Sequence, residues 1–421
     1  MQLSSNRAKQ VRVTGLKFYT LIILFCPTFW GVLGSTYISL GQIGYTFIVL
    51  GSGLLILWFR KIQLLLPNKY LCSFCLLTLS FTFTVCYNTT QSNSLITITD
   101  FSDISRPVIC LLSLSIGASL SSKNISIRFI NFFLLSILLC SFFDVIKFFD
   151  FGKSILKIYT HLNSNSFNYI RFSGTFAYCY NYCFILLFGL LLSFSFPIKH
   201  KIPYIIIFIV LIALTGSRAG FIALIFAIIG IRWIDSGVKS AFKTILWIIV
   251  IGFTSLSLLI VLDIPLINEI ISNTEKLITA LSSDYSSDGS LSTRNSQLSH
   301  VFSNLRTSPF FGKGPEKNTS APIEIQLGYY LSSWGFIGTF CFLSIIFITL
   351  LYSWKNISGR DILSQFSKAN FIWILCSFIM GLSTPITDQI RVSQFFYLIQ
   401  GIQFALSQSR KGNSYNIFYK N

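Results

Sequence analysis

The chain has 421 residues, 53% of them hydrophobic and only 11% charged, with a formal net charge of +18 and a mean hydropathy of +0.68. Soluble domains carry roughly 25% charged residues, so a water-facing globule is excluded. Apolar runs of about 20 residues, the length that crosses a bilayer, recur from end to end.

The fold class expected is therefore an all-α polytopic membrane protein, one integral membrane domain over residues 1–421. Taken in chain order, apolar runs between charged punctuation predict about twelve transmembrane helices. They lie near 15–34, 38–59, 70–87, 105–121, 129–146, 172–196, 202–215, 219–234, 244–262, 326–351, 369–386 and 391–408. Lys and Arg gather on the cytoplasmic side of membrane proteins. Placing Arg7, Lys9, Arg12 and Lys17 there puts both termini in the cytoplasm. That side then holds 20 of the 32 basic residues and 2 of the 14 acidic ones. The net charge thus follows topology and contact with anionic lipid, and gives no support to nucleic-acid binding.

Most connections are short. Two outward loops, at about 147–171 and 263–325, are long enough to do work, since long structureless loops are uncommon otherwise. The second is expected to contain short helices. IPLINEIISNTEKLITAL reads as an amphipathic helix lying on the membrane, and SSDYSSDGSLS reads as a linker. In TRNSQLSHVFSNLRT, Leu298, Val301, Phe302 and Leu305 share one face, and SPFFGKGP then ends that helix. The ten cysteines all fall inside predicted spans, where free Cys behaves as a small buried hydrophobe. The outward face carries no metal or nucleotide motif, so neither metal nor cofactor is expected.

Three arginines stand in specific settings on the outward side. Arg218 lies in TGSRAGFIAL, between Gly216 and Gly220 at the turn of a helical hairpin. Arg171 opens RFSGTF, with Asn181 behind it. Arg294 lies in STRNSQLSH. Each alone could be a boundary or loop charge. Together they suggest a cationic site for an anion at the membrane surface, because the planar guanidinium donates two parallel charge-assisted hydrogen bonds to phosphate. Glu324 precedes the tenth span, where it is either a helix-end anchor or a group placed to take a proton from a hydroxyl.

In order and spacing, RFSGTF, TGSRAGFIAL and R-x11-R-x2-PFFGKGP followed by E-x10-GFIG resemble the O-antigen ligase and polymerase superfamily of bacterial envelope glycan assembly. The resemblance covers residues 165–345. It implies a metal-independent glycosyltransferase of the inner membrane with a periplasmic active site, acting on an oligosaccharide linked to undecaprenyl pyrophosphate. It makes Arg171, Arg218 and Arg294 the pyrophosphate-binding residues, with Arg218 and Glu324 catalytic. The family's ligases carry a histidine in an H-N-x-x-L pattern where this chain has Glu324, and that departure favours an O-antigen polymerase. Tyr329, Tyr330 and Trp334 are the expected sugar contacts, the bilayer is the surrounding partner, and a chain-length regulator is the protein partner the resemblance leaves room for. The alternatives are an O-antigen ligase acting on lipid A–core and a polysaccharide flippase or transporter. His161 and His300, the other outward histidines, match no motif.

Overall fold

The computed structural model describes residues 2–28, 40–92, 98–121, 125–149, 171–176, 178–261, 289–314 and 323–418, with Phe151, Ile155 and Tyr159 between the fourth and fifth of these. Among the described residues every regular element is a helix. The longer ones are α1 (Gln2–Phe25), α2 (Leu40–Phe59), α3 (Asn68–Ser92), α4 (Ile98–Leu120), α5 (Ile127–Leu139), α6 (Phe142–Ile146), α7 (Cys179–Ser195), α8 (Lys201–Leu214), α9 (Arg218–Val261), α10 (Gly289–Thr307), α11 (Gln326–Lys355), α12 (Ile362–Gly381) and α13 (Ile390–Phe418). A single 3-10 turn, Ile386–Asp388, joins the last two. The expected membrane-surface helix at 267–281 lies outside the described residues.

Among the described residues, six segments are long and apolar enough to cross a membrane: Asn68–Thr90, Asp100–Leu120, Ile127–Ile146, Arg218–Trp247, Gln326–Lys355 and Ile362–Gly381. Three shorter apolar helices accompany them. The protein is a multi-pass membrane protein, but this criterion does not reach the expected twelve spans, for identifiable reasons. Helix α8 has 14 residues, about 21 Å at the helical rise, against a hydrocarbon core of about 30 Å. The eighth and ninth predicted spans run into one another in α9, interrupted only at Gly237 (φ 79°, ψ −179°).

Helix α7 is the centre of the bundle. It is apolar on every side, and Tyr182 through Leu192 are buried throughout. A helix with no polar face has to be enclosed by protein or lipid, and here α5, α8, α9 and α12 pack around it. Helices α4 and α13 form the most extensive pair. A Cβ on Gly401 would fall 2.0 Å from the Leu114 carbonyl oxygen, and one on Gly117 would fall 2.6 Å from that of Leu398. Small residues let backbones approach where lipid supplies no hydrophobic drive.

Toward the end expected to face the cytoplasm, buried amides join α11, α12 and α13. Asn370 Nδ2 donates to Gln400 Oε1 (2.8 Å), Gln400 Nε2 returns the bond to Asn370 Oδ1 (3.0 Å), and Gln403 Nε2 reaches Ser353 Oγ (2.9 Å). At the same end Lys368 pairs with Asp235 at 2.7 Å. The other end carries the arginines.

Candidate active site

The turn between α8 and α9 explains the two glycines around Arg218. Gly216 has a φ of 61°, which L side chains adopt only at a cost, and it turns the chain directly after α8. Ser217 then caps α9: its Oγ accepts from the Gly220 N–H at 3.1 Å, relieving one of the unpaired amides of a helix start. Arg218 is the first residue of α9 and is exposed. Gly220 has a packing reason, since a Cβ there would lie 2.3 Å from Cys183 Sγ of α7.

Arg171 comes to the same turn. A Cβ on Gly216 would lie 3.3 Å from Arg171 Nε and 3.5 Å from its Cγ, so the Arg171 side chain runs across the glycine. The segment behind it is held residue by residue. The Phe172 N–H donates to the Leu214 carbonyl at 3.0 Å. The Ser173 and Gly174 amides donate to the two oxygens of Asp144 at 2.8 and 2.6 Å. Lys147 Nζ spans the Asp144 carboxylate (3.4 Å) and the Arg171 carbonyl (2.6 Å). Thr175 Oγ1 donates to the Leu24 carbonyl at the end of α1 (2.6 Å).

The start of α7 links this basic turn to Glu324. Arg171 hydrogen-bonds the Cys179 thiol. The rings flanking that cysteine, Tyr178 and Tyr180, stack with centroids 5.1 Å apart and planes 8° from parallel. The Glu324 carboxylate acts electrostatically on both phenols, and Tyr180 also hydrogen-bonds Thr384. Burial, and after it the Glu324 charge, push the Tyr178 phenol above its ordinary value, so it stays a neutral donor. No side chain caps the helix at Tyr178.

Glu324 is positioned by α10. Its N–H donates to Gln297 Oε1 at 3.1 Å, and Arg294 stands three residues, close to one turn, before Gln297 on that helix. Asn304 continues the same face, donating to Ser332 Oγ of α11 at 2.7 Å. Here the structure departs from the apolar face expected of α10: Gln297, Val301 and Asn304 are buried, whereas Leu298 and Phe302 are exposed. The polar side faces inward because it supplies partners to the first turns of α11.

The motif SPFFGKGP has a structural explanation. Helix α11 breaks at Gly335 (φ 60°, ψ −165°), and the 309–314 turn is knitted into the break. Phe336 and Ile337 N–H donate to the carbonyls of Pro309 (2.9 Å) and Phe310 (3.2 Å), while Lys313 and Gly314 N–H donate to those of Ser332 and Ser333 (2.9 Å each). Backbone freed inside a membrane protein must find such partners. The approach is closest at Gly335, where a Cβ would meet the Phe310 carbonyl carbon at 2.4 Å.

The three aromatic residues expected to meet sugar are buried among the helices. Trp334 stacks on Phe81 at 3.7 Å and Tyr330 on Phe342 at 4.0 Å. Tyr329 is buried beside Asp103, Asp388 and Arg106. Tyr330 also lines a small cavity with Arg106 and Asp388. His300 hydrogen-bonds Asn304, and His161 lies outside the described residues.

The spacing argument missed five buried or half-buried groups. Arg106 pairs with Asp103 at 3.0 Å and with Asp388 at 2.5 Å, Asp144 holds the 171–176 segment, and Arg391 is buried at the start of α13. The spans are thus less free of charge at their outward ends than hydropathy implies. The available signals were DFSDISRP, FFDVIK and STPITDQIR, each with charge at the edge of an apolar run.

No curated protein matches the chain significantly. A family match does exist, described as O-antigen ligase, and it runs from α8 into α11, taking in Arg218, Arg294 and Glu324. This multi-pass membrane protein carries an O-antigen ligase family domain at residues 203–343, consistent with membership of the O-antigen ligase and polymerase superfamily.

Proposed function

We propose that the protein is an O-antigen polymerase that moves a growing glycan from undecaprenyl pyrophosphate onto a lipid-linked repeat unit at the periplasmic face of the inner membrane. The observation that carries this reading is the gathering of the motif residues by backbone and side-chain contacts: the Arg171 side chain runs across the Gly216 turn that leads into Arg218, and Gln297, one turn beyond Arg294, accepts from the Glu324 N–H. An acceptor hydroxyl oxygen attacks the anomeric carbon, and its proton passes to Glu324. The bond from that carbon to the pyrophosphate oxygen breaks, and the leaving pyrophosphate keeps the electron pair. Arg171, Arg218 and Arg294 stabilise the charge that develops on it. Direct attack inverts the anomeric centre.

The aromatic contact moves from Tyr329, Tyr330 and Trp334 to Tyr178, which is 37% exposed and lies beside the proposed base. Ligation onto lipid A–core is the second reading, supported by the family's description. The glutamate at 324, where ligases carry histidine, weighs against it. A transporter has less support, since the proposed site lies at helix ends, whereas transporter sites lie near the midplane.

The test is a gel of lipopolysaccharide from a deletion strain. Core carrying one repeat with the ladder lost is the result expected of a polymerase. Core without any repeat, with polymer held on the lipid carrier, establishes the ligase instead. An unchanged ladder overturns both.

A further inference from the structure

Arg391 is 5% exposed at the first turn of α13, in a part of the molecule where a buried cation is costly. Its guanidinium donates to the carbonyls of Thr175 and Cys26. The rings of Tyr45, Tyr159 and Phe176 surround it, with centroids 5.1, 5.5 and 5.5 Å from its central carbon. Tyr159 is itself anchored, its hydroxyl donating to the Phe25 carbonyl at 2.7 Å. A planar fork can satisfy two carbonyls at once and lie against aromatic faces, and lysine cannot do both.

Thr175 is four residues from Arg171. The segment between them is gripped on its donor atoms by Asp144 (Ser173 and Gly174 amides) and on an acceptor atom by Arg391. Those two grips come from α6 and α13, and Cys26 adds the end of α1. Nothing local in the sequence relates these residues, because Arg391 and Thr175 are 216 positions apart.

We infer that Arg391 is a positioning residue for the transfer reaction: it clamps the 171–176 segment to the ends of α1 and α13 and so holds Arg171 over the Gly216 turn. The inference rests on the reading of Arg171 as a pyrophosphate-binding residue. Arg391 touches neither substrate nor leaving group; it acts through the backbone that carries Arg171.

The experiment makes Arg391→Lys and Arg391→Met, each alone and combined with Arg171→Ala, in the full-length protein. Chain extension is measured in membranes supplied with lipid-linked repeat units, and hydrogen exchange of residues 172–176 is measured on detergent-purified protein. Arg391→Lys is expected at wild-type abundance with faster exchange in 172–176. Its extension rate should fall about 100-fold, the scale of a misplacement near 1 Å, and it should add no further loss in the Arg171→Ala background. Where Arg391→Met does not accumulate, Phe176→Leu thins the cage while leaving both carbonyl bonds, and should give a smaller shift of the same kind. Unchanged exchange, a normal extension rate, or an equal loss in both backgrounds overturns the inference. Normal extension by Arg171→Ala alone overturns the pyrophosphate reading instead, and exchange in the Arg391 variants still reports whether the clamp exists.

Discussion

At the end of the bundle expected to face the periplasm, charged groups are built into the interior. Arg106 lies between Asp103 and Asp388, Arg391 lies in its aromatic cage, and Asp144 is fully buried beneath the segment that carries Arg171. At the opposite end an ion pair, Lys368 with Asp235, is partly exposed. The helix breaks differ in the same way. The break at Gly335 is filled by the 309–314 turn, whereas a Cβ on Gly237 would meet nothing within 4 Å. Burying charge and interlocking backbone costs free energy and sequence freedom. A membrane protein that needed only to span would have no reason to concentrate such features at one end. The difference between the ends supports the proposed site near Arg171, Arg218 and Glu324, and it can be tested by substitutions of graded severity.

The largest effect is expected at the outward ion cluster. Arg106→Met leaves two carboxylates in a buried site, and losing one partner of a buried pair costs about 3–5 kcal/mol. Thermal unfolding of detergent-purified protein should show that loss, with lower abundance in membranes. A change below about 1 kcal/mol, the scale of a surface pair, would mean that the cluster is solvated in practice. Next comes Arg218→Ala. Removing one positioned donor to a developing anion costs about 2.7–4 kcal/mol of barrier, roughly 100- to 1000-fold in rate. Because Arg218 is exposed at a helix start, abundance and melting should not change. Arg218→Lys should fall between the two, since it keeps the charge and loses the fork. Normal extension by both variants would reduce Arg218 to a boundary residue.

How much of this could be read in the sequence follows from the range of each interaction. The membrane class is legible because hydropathy acts locally along the chain. TGSRAG signals a tight turn by its glycines, and PFFGKGP followed by GFIG records a backbone interlock whose partners stay in fixed order. The clamp at Arg391 is not legible: its partners at Thr175 and Cys26 lie 216 and 365 positions away, and carbonyls leave no trace in side-chain identity. Tyr329, Tyr330 and Trp334 mislead for a related reason. They sit at the end of an apolar run, where aromatic residues commonly face the interface, and only packing against distant residues such as Phe81 of α3 puts them inside. Tyr178 and Tyr180 are not singled out by any motif, since their stacking is visible only in the fold.

At the inner end the expected effects shrink. Gly237→Ala forces a side chain onto a backbone (φ 79°, ψ −179°) that is nearly reserved for glycine, which costs about 1–3 kcal/mol. The open surroundings add no collision, so melting should shift while the extension rate per folded molecule stays at the wild-type value. A lost rate at full stability would show that the inner kink takes part in the reaction cycle.

The smallest effect is expected from Lys368→Met. Lys368 and Asp235 are 2.7 Å apart, with side chains 18% and 39% exposed, so water and salt compete for both. Exposed pairs contribute about 0.2–1 kcal/mol, and ionic strength screens part of that. The variant should melt close to wild type, the difference should narrow as salt is raised, and glycan length should be unchanged. This substitution carries more weight than its size suggests, because Lys368 is a half-buried cation on a core helix, as Arg106 is, with the same 18% side-chain exposure, and differs from it chiefly in its partner (Asp235 39% exposed, against 2% and 10% for Asp103 and Asp388) and in the end of the bundle it occupies. If Lys368→Met were as damaging as Arg106→Met, charge anywhere in the bundle would matter equally, and the inference from buried charge to the working end would fail. A large gap between the two variants, with extension lost only at the outward end, ties the buried charges to the chemistry.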